Sequence, residues 1–129
     1  MEIENLLKKL RHRPDLRAVI LNAPRNYEEA FSKMGFSKSL DEPKSQFTLL
    51  FIRNRSELDL HVAKVISGIE DDSLFWVVYP KGGSSIKTDL NRDIIWEIIK
   101  PSGYRPVAIV SMDKDWSVMR IRLEGKVKK

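Results

Sequence analysis

Leu74-Phe75-Trp76-Val77-Val78-Tyr79-Pro80-Lys81-Gly82-Gly83-Ser84-Ser85-Ile86-Lys87-Thr88-Asp89-Leu90-Asn91-Arg92-Asp93 is the segment on which the fold turns. Its first six residues are apolar without interruption, the pattern of a strand covered on both faces rather than one half exposed to water. Proline and two glycines then break the strand, and a helical pattern begins near Asp89 with Leu90, Ile94, Ile95, Ile98 and Ile99 turned inward. A buried strand, a small-residue turn and a helix make half of a βαβ unit. The turn also sets fixed cations at a helix start, where backbone N–H groups, hydroxyls and positive charge meet an anion.

The same pattern recurs on the N-terminal side. Gln46 to Arg53 reads as a second buried strand, and Asn54 with Glu57 has capping spacing for a helix with Leu58, Val62, Val65, Ile66 and Ile69 in its stripe. That helix ends near Gly68, and Glu70-Asp71-Asp72 reads as a solvated turn into the strand Ser73 to Tyr79. Arg17 to Ala23 reads as the first strand, followed by a helix from the cap Asn26, with Glu29, through Met34 to Gly35. Residues 36–45 form a polar linker. Residues 2–11 show an amphipathic helix with Ile3, Leu6, Leu7 and Leu10 on one face, closed by Pro14, so that 1–14 is an N-terminal helical segment.

Toward the C-terminus, Pro101 and Gly103 stop the last helix, and Pro106 to Ser111 and Trp116 to Leu123 form a hairpin across residues 112–115. Residues 124–129 read as a flexible basic tail. Three strands separated by helices imply right-handed crossovers, and hence three parallel strands with helices on both faces, while the hairpin must end antiparallel. The expected fold is α/β: a three-layer, Rossmann-like sheet in one domain, residues 1–129.

This order is similar to that of the class I methyltransferases over residues 17–123, in a truncated form that lacks two strands. The resemblance implies the sheet order first, second, third, fifth, fourth. A closer resemblance, carried by Asn22-Ala23-Pro24, by Phe75 to Lys81 running into Lys87 to Asp93, and by Asp113-Lys114-Asp115-Trp116-Ser117, is to a bacterial domain family with no assigned activity. It implies a fold and no chemistry.

Composition narrows the function classes. With 129 residues, 42% hydrophobic and 32% charged, the chain can bury a core. It has no cysteine, which removes thiolate chemistry and points to the cytoplasm. Its longest apolar run, Leu74 to Tyr79, is too short to cross a bilayer. The net charge of +5 gathers at Lys8, Lys9, Arg11, Arg13 and Arg17 and at Lys126, Lys128 and Lys129, a terminal distribution that fits solubility better than nucleic-acid binding.

No catalytic constellation stands out. An adenosylmethionine site calls for a glycine-rich turn after the first strand, yet Asn22-Ala23-Pro24 has none and its proline removes an amide donor. A degenerate methyltransferase-like enzyme is thus the weaker alternative. Lys87-Thr88 lacks the glycines of a P-loop, and Ser84 to Lys87 matches a serine–lysine spacing without its supporting motifs. Asp71, Asp72, Asp89, Asp93, Asp113 and Asp115 read as turn and cap residues rather than metal ligands, with Asp89 capping the last helix in competition with Thr88. No metal or cofactor is expected.

What remains is anion recognition where three strand ends converge. The candidate binding residues are Lys81, Gly82, Gly83, Ser84, Ser85, Lys87, Thr88 and Arg92, joined by Asn22 and Arg53 from the other two ends and by Trp116 and Ser117 from the hairpin. Arg55 adds charge nearby. Of the tryptophans, Trp76 and Trp96 read as core, and Trp116 reads either as core or as a surface for stacking. A small phosphate- or nucleotide-like ligand is one expectation. The alternative is a non-catalytic interaction or regulatory protein that uses a sheet edge to bind a partner or form a homodimer.

Overall fold

The apolar run at 74–79 forms the interior of the longest strand in a computed structural model that describes residues 3–41 and 43–126. In chain order the elements are α1 (Ile3–Lys9), β1 (Ala18–Leu21), α2 (Arg25–Ser32), β2 (Ser45–Phe51), α3 (Arg55–Ser67), β3 (Ile69–Pro80), α4 (Arg92–Ile99), β4 (Tyr104–Ser111) and β5 (Trp116–Leu123). One five-stranded open sheet results, in the order β1-β2-β3-β5-β4. β1, β2 and β3 are parallel, and β5 runs antiparallel to both β3 and β4.

Successive strand residues point to opposite faces, so the central strands feed two separate cores. Phe47, Leu49, Phe51, Trp76 and Val78 pack with Leu6, Leu7 and Leu10 from α1 and its exit and with Tyr27 and Phe31 from α2. The intervening residues Leu50, Phe75, Val77 and Tyr79 pack with Leu58, Val62 and Val65 of α3 and Ile95 and Ile99 of α4. The continuous apolar runs at 49–51 of β2 and 74–79 of β3 are the requirement of serving both.

Several boundaries differ from the sequence expectation. Glu70-Asp71-Asp72 belongs to β3 rather than to a free turn, and Ile69 opens that strand instead of closing α3. Between the pairs Ser45/Ile69 and Phe47/Leu74, β2 advances two residues while β3 advances five, a bulge that holds Asp72 at a left-handed φ of 55°. The bulge aims the Asp72 carboxylate at Arg122, whose Nε and Nη2 donate to it at 2.5 and 2.8 Å. Gly68 ends α3 for a reason of space: a Cβ there would meet the Leu40 Cβ at 3.0 Å.

Asn26 does not cap α2. Pro24 occupies that position with φ −57° and no side-chain hydrogen bond, and its carbonyl accepts from the Glu28 amide. α2 ends at Ser32 with Lys33 as its C-cap, short of the expected Met34, and Gly35 at φ 91° then turns the chain, with the Phe36 amide returning to the Phe31 carbonyl. α1 ends at Lys9, and Arg11 turns the chain with φ 65°, ahead of Pro14. α4 begins at Arg92, later than Asp89, because Asn91 is its cap and accepts from the Ile94 amide. Trp96 is 42% exposed beneath Lys100, so it is not a core residue. The expected basic tail begins with a short 3-10 turn, Glu124–Lys126, and its remainder lies outside the described residues. No described helix is long and apolar enough to cross a membrane.

Candidate functional site

Parallel strands put the ends of β1, β2 and β3 on one side of the sheet, and hydrogen bonds join the segments that leave those ends. Asn22, left-handed at φ 58°, donates from Nδ2 to the Phe51 carbonyl at 2.9 Å and to Glu57 Oε1 at 3.0 Å. The Arg53 amide donates to the same Glu57 oxygen at 2.9 Å, and Arg53 Nε donates to Oε2 at 3.2 Å. Burial pushes the Glu57 carboxyl up, but the Arg53 and Asn22 hydrogen bonds and the Arg53 charge together bring it below its ordinary value. Asn22 and Arg53 therefore meet, as the strand order implies, around an acid that neutralises the arginine.

The 81–92 loop is tied at both ends. Asp89 Oδ1 accepts from the Arg55 amide at 2.9 Å, so Asp89 serves the start of α3 rather than its own helix. Thr88 Oγ1 accepts from the Leu90 amide at 3.1 Å in a local turn. On the hairpin side, the Lys81 amide donates to the Asp115 carbonyl at 2.7 Å and Lys81 Nζ to Ser111 Oγ at 2.6 Å. The Ser85 amide and hydroxyl both donate to Asp115 Oδ1, at 3.4 and 3.2 Å. Ser84 Oγ is occupied by the amide and carbonyl of Ile86. Gly82 and Gly83 are exposed, Gly83 at φ 81°.

The amide and hydroxyl of Ser85 thus already have an anion, the Asp115 carboxylate. The start of α4 is occupied as well, by the Asn91 side chain. Lys87 and Arg92 are exposed and make no ion pair among the described residues. Burial pushes the Tyr79 phenol up, opposed by the charge of Arg92 and a hydrogen bond from Ser117, its partner across β3 and β5. Trp116 is buried at 6% exposure and packs edge-on against Phe51 with ring centres 5.3 Å apart, leaving no face for stacking. Of the five surface cavities delineated, residues 81–91 line none.

The residues that hold this region together were visible in the sequence only in lesser roles. Glu57 appeared as a capping acid, and Asp113 and Asp115 as turn formers. Asp113 does form the turn, its Oδ1 accepting from the amides of Asp115 and Trp116, while Tyr27 of α2 donates to its other oxygen. Burial, then the Asp113 carboxylate, push the Tyr27 phenol strongly up. The candidate carboxylates for a metal are dispersed among these duties.

The two outer edges of the sheet differ. Beside β1, the Ile20 amide donates to the Ser37 carbonyl and the Ser37 amide to the Ala18 carbonyl, both at 2.9 Å, so Ser37 bridges that edge. β4 pairs with β5 alone among the described strands. Ala108 is exposed, and Val107 and Ile109 are 37% and 41% exposed, with Trp96 sharing a cleft with Arg105 and Pro106 at the start of the same strand. No family model matches the chain, and no curated protein matches it.

Proposed function

We propose that the protein is a non-catalytic interaction module that pairs through the open edge of β4 with a second copy of itself. The observation that carries this reading is the asymmetry of the edges: one is bridged by Ser37, the other open and apolar. Unpaired N–H and C=O groups along an edge strand are a template for another strand, which natural edges usually blunt with charge. Residues 107–111, Val-Ala-Ile-Val-Ser, carry no charge at all. Antiparallel pairing about a two-fold axis at Ile109 sets Ile109 against itself and Val107 against Ser111, with no like charges opposed. Pro106 and the register shift beside it confine the pairing to this stretch.

The same reading takes the chain as a cytoplasmic, three-layer domain, since its two cores use alternate strand faces and it lacks cysteine. The alternative, an anion held by the 81–92 loop, draws support from exposed Lys87 and Arg92, while Lys81, Ser84 and Ser85 already donate to Ser111, Ile86 and Asp115. Sedimentation velocity over a hundredfold concentration range tests the proposal. We expect a concentration-dependent shift that Ile109→Lys abolishes, by opposing two charges across the axis, while the circular dichroism spectrum is preserved. A monomer at every concentration, or a shift that Ile109→Lys leaves intact, refutes it.

A further inference from the structure

The largest of the five cavities delineated among the described residues, about 510 Å³, opens away from the β4 edge, between α1 and the turn that follows α2. Leu7 of α1, Leu16, Ala18 at the start of β1 and Met34 make its walls apolar. Leu7 and Ala18 are buried members of the core on that face of the sheet, and Leu16 packs at its margin. Met34 is 40% exposed, a large apolar side chain left open to solvent. Small residues make the room: Ala18 ends at its Cβ, and a Cβ added to Gly35 would meet nothing within 4 Å.

The polar groups in the lining favour no ion. Glu4 and Lys8, one helical turn apart on α1, are exposed at the rim and enter no ion pair among the described residues, so one charge of each sign faces the opening. His12 is the third. Its ring stacks on Phe36 with centres 5.2 Å apart and meets Phe47 edge-on at 5.0 Å, which fixes its place in the wall. Burial pushes the imidazole below its ordinary value against the opposing charge of Asp15, so the ring is neutral at neutral pH, with one nitrogen to donate and one to accept. Neither nitrogen has a hydrogen-bond partner among the described residues, and neither is closed to solvent.

We propose that this cavity binds a small uncharged phenol, its aromatic ring against Leu16, Ala18 and Met34 and its hydroxyl on a ring nitrogen of His12. A phenolic hydroxyl donates and accepts, as the imidazole does, and its ring gains from the Met34 thioether as well as from the aliphatic walls. An ion has no such gain, because the rim carries no net charge and an apolar cavity costs a charged group far more than a hydrogen-bonded hydroxyl. The volume also falls within the range of small-molecule pockets, roughly 300–1,000 Å³. The site is separate from the β4 edge and from the 81–92 loop, so it stands or falls independently of dimerisation.

The test is a titration with 2-naphthol, read by NMR at methyl-labelled methionines and at the His12 ring protons, with 2-naphthoate as the charged counterpart of the same ring system. We expect saturable shifts at Met34 and His12, Overhauser contacts from the naphthol ring to the Met34 methyl, and no shift at Met119, which lies in the other core. 2-Naphthoate should bind about tenfold more weakly. Ala18→Leu, which fills the cavity, Met34→Glu, which sets a charge in its wall, and His12→Phe, which keeps a ring without the nitrogens, should each weaken 2-naphthol by about tenfold. If Ala18→Leu fails to fold, Met34→Glu at the exposed rim carries the test, with binding then read at His12. Ile109→Lys should bind 2-naphthol as the parent does, which separates this site from the pairing edge. No saturable shift, a shift at Met119 in place of Met34, equal affinity for 2-naphthoate, or undiminished binding in Met34→Glu or His12→Phe overturns the proposal.

Discussion

Asp72 shows how much one side chain can organise when its backbone is bent for it. The left-handed turn in the β3 bulge presents both carboxylate oxygens to Arg122, and the hydrogen bonds from that guanidinium hold the Asp72 carboxyl below its ordinary value against the opposing effect of burial. A carboxyl depressed in the folded state stabilises it at pH values above the unfolded value, roughly 4, and that contribution drains away as pH falls through the folded value. Asp72→Asn should therefore lower stability at neutral pH and flatten the acid limb of the stability curve. Urea titrations at a series of pH values between roughly 7 and 2 measure this. Parallel acid limbs in the parent and the variant would remove Asp72 from the account.

Each helix start is solved separately, and two of the three for which a cap is resolved depend on an asparagine. Asn54 and Asn91 sit in extended conformation and accept from the amides three residues on, whereas α2 begins at Pro24 with no side-chain cap. Alanine at Asn54 or Asn91 should cost about 1 kcal/mol each, and alanine at exposed Asn26 close to nothing, by chemical denaturation. The contrast discriminates, because all three asparagines lie next to a helix start in the sequence. Strand edges follow the same logic of local satisfaction. Ser37 spends its backbone on β1, and the β4–β5 turn spends Asp113 on its own amides, which leaves the outer groups of β4 as the place where another chain finds an offer.

For the whole molecule, the two cores are one cooperative unit because the same strands build both. Phe31 and Phe75 are fully buried, one in each core. Alanine at either should cost about 3–5 kcal/mol, a large part of a typical domain's stability, with a single transition of unchanged slope. Two separable transitions in either variant would show that the cores melt apart. The strand order, the hairpin and most helix faces were legible in the sequence because they rest on local periodicity: continuous apolarity in 49–52 and 74–79, helical stripes at 58–65 and 94–99, and a four-residue turn at 112–115. The sequence also placed Asn22 and Arg53 at neighbouring strand ends, and the i to i+4 spacing of Arg53 and Glu57 fits their ion pair. It did not reveal that Asp115, 30 residues away, takes both donors of Ser85, that Trp116 was covered and Trp96 bare, or that Arg120 Nε has no hydrogen-bond partner among the described residues. Local pattern fixes which elements form and how they order. Which charges remain unanswered and which edge stays open depends on partners dozens of residues away, and those meet only when the sheet has closed over its two cores.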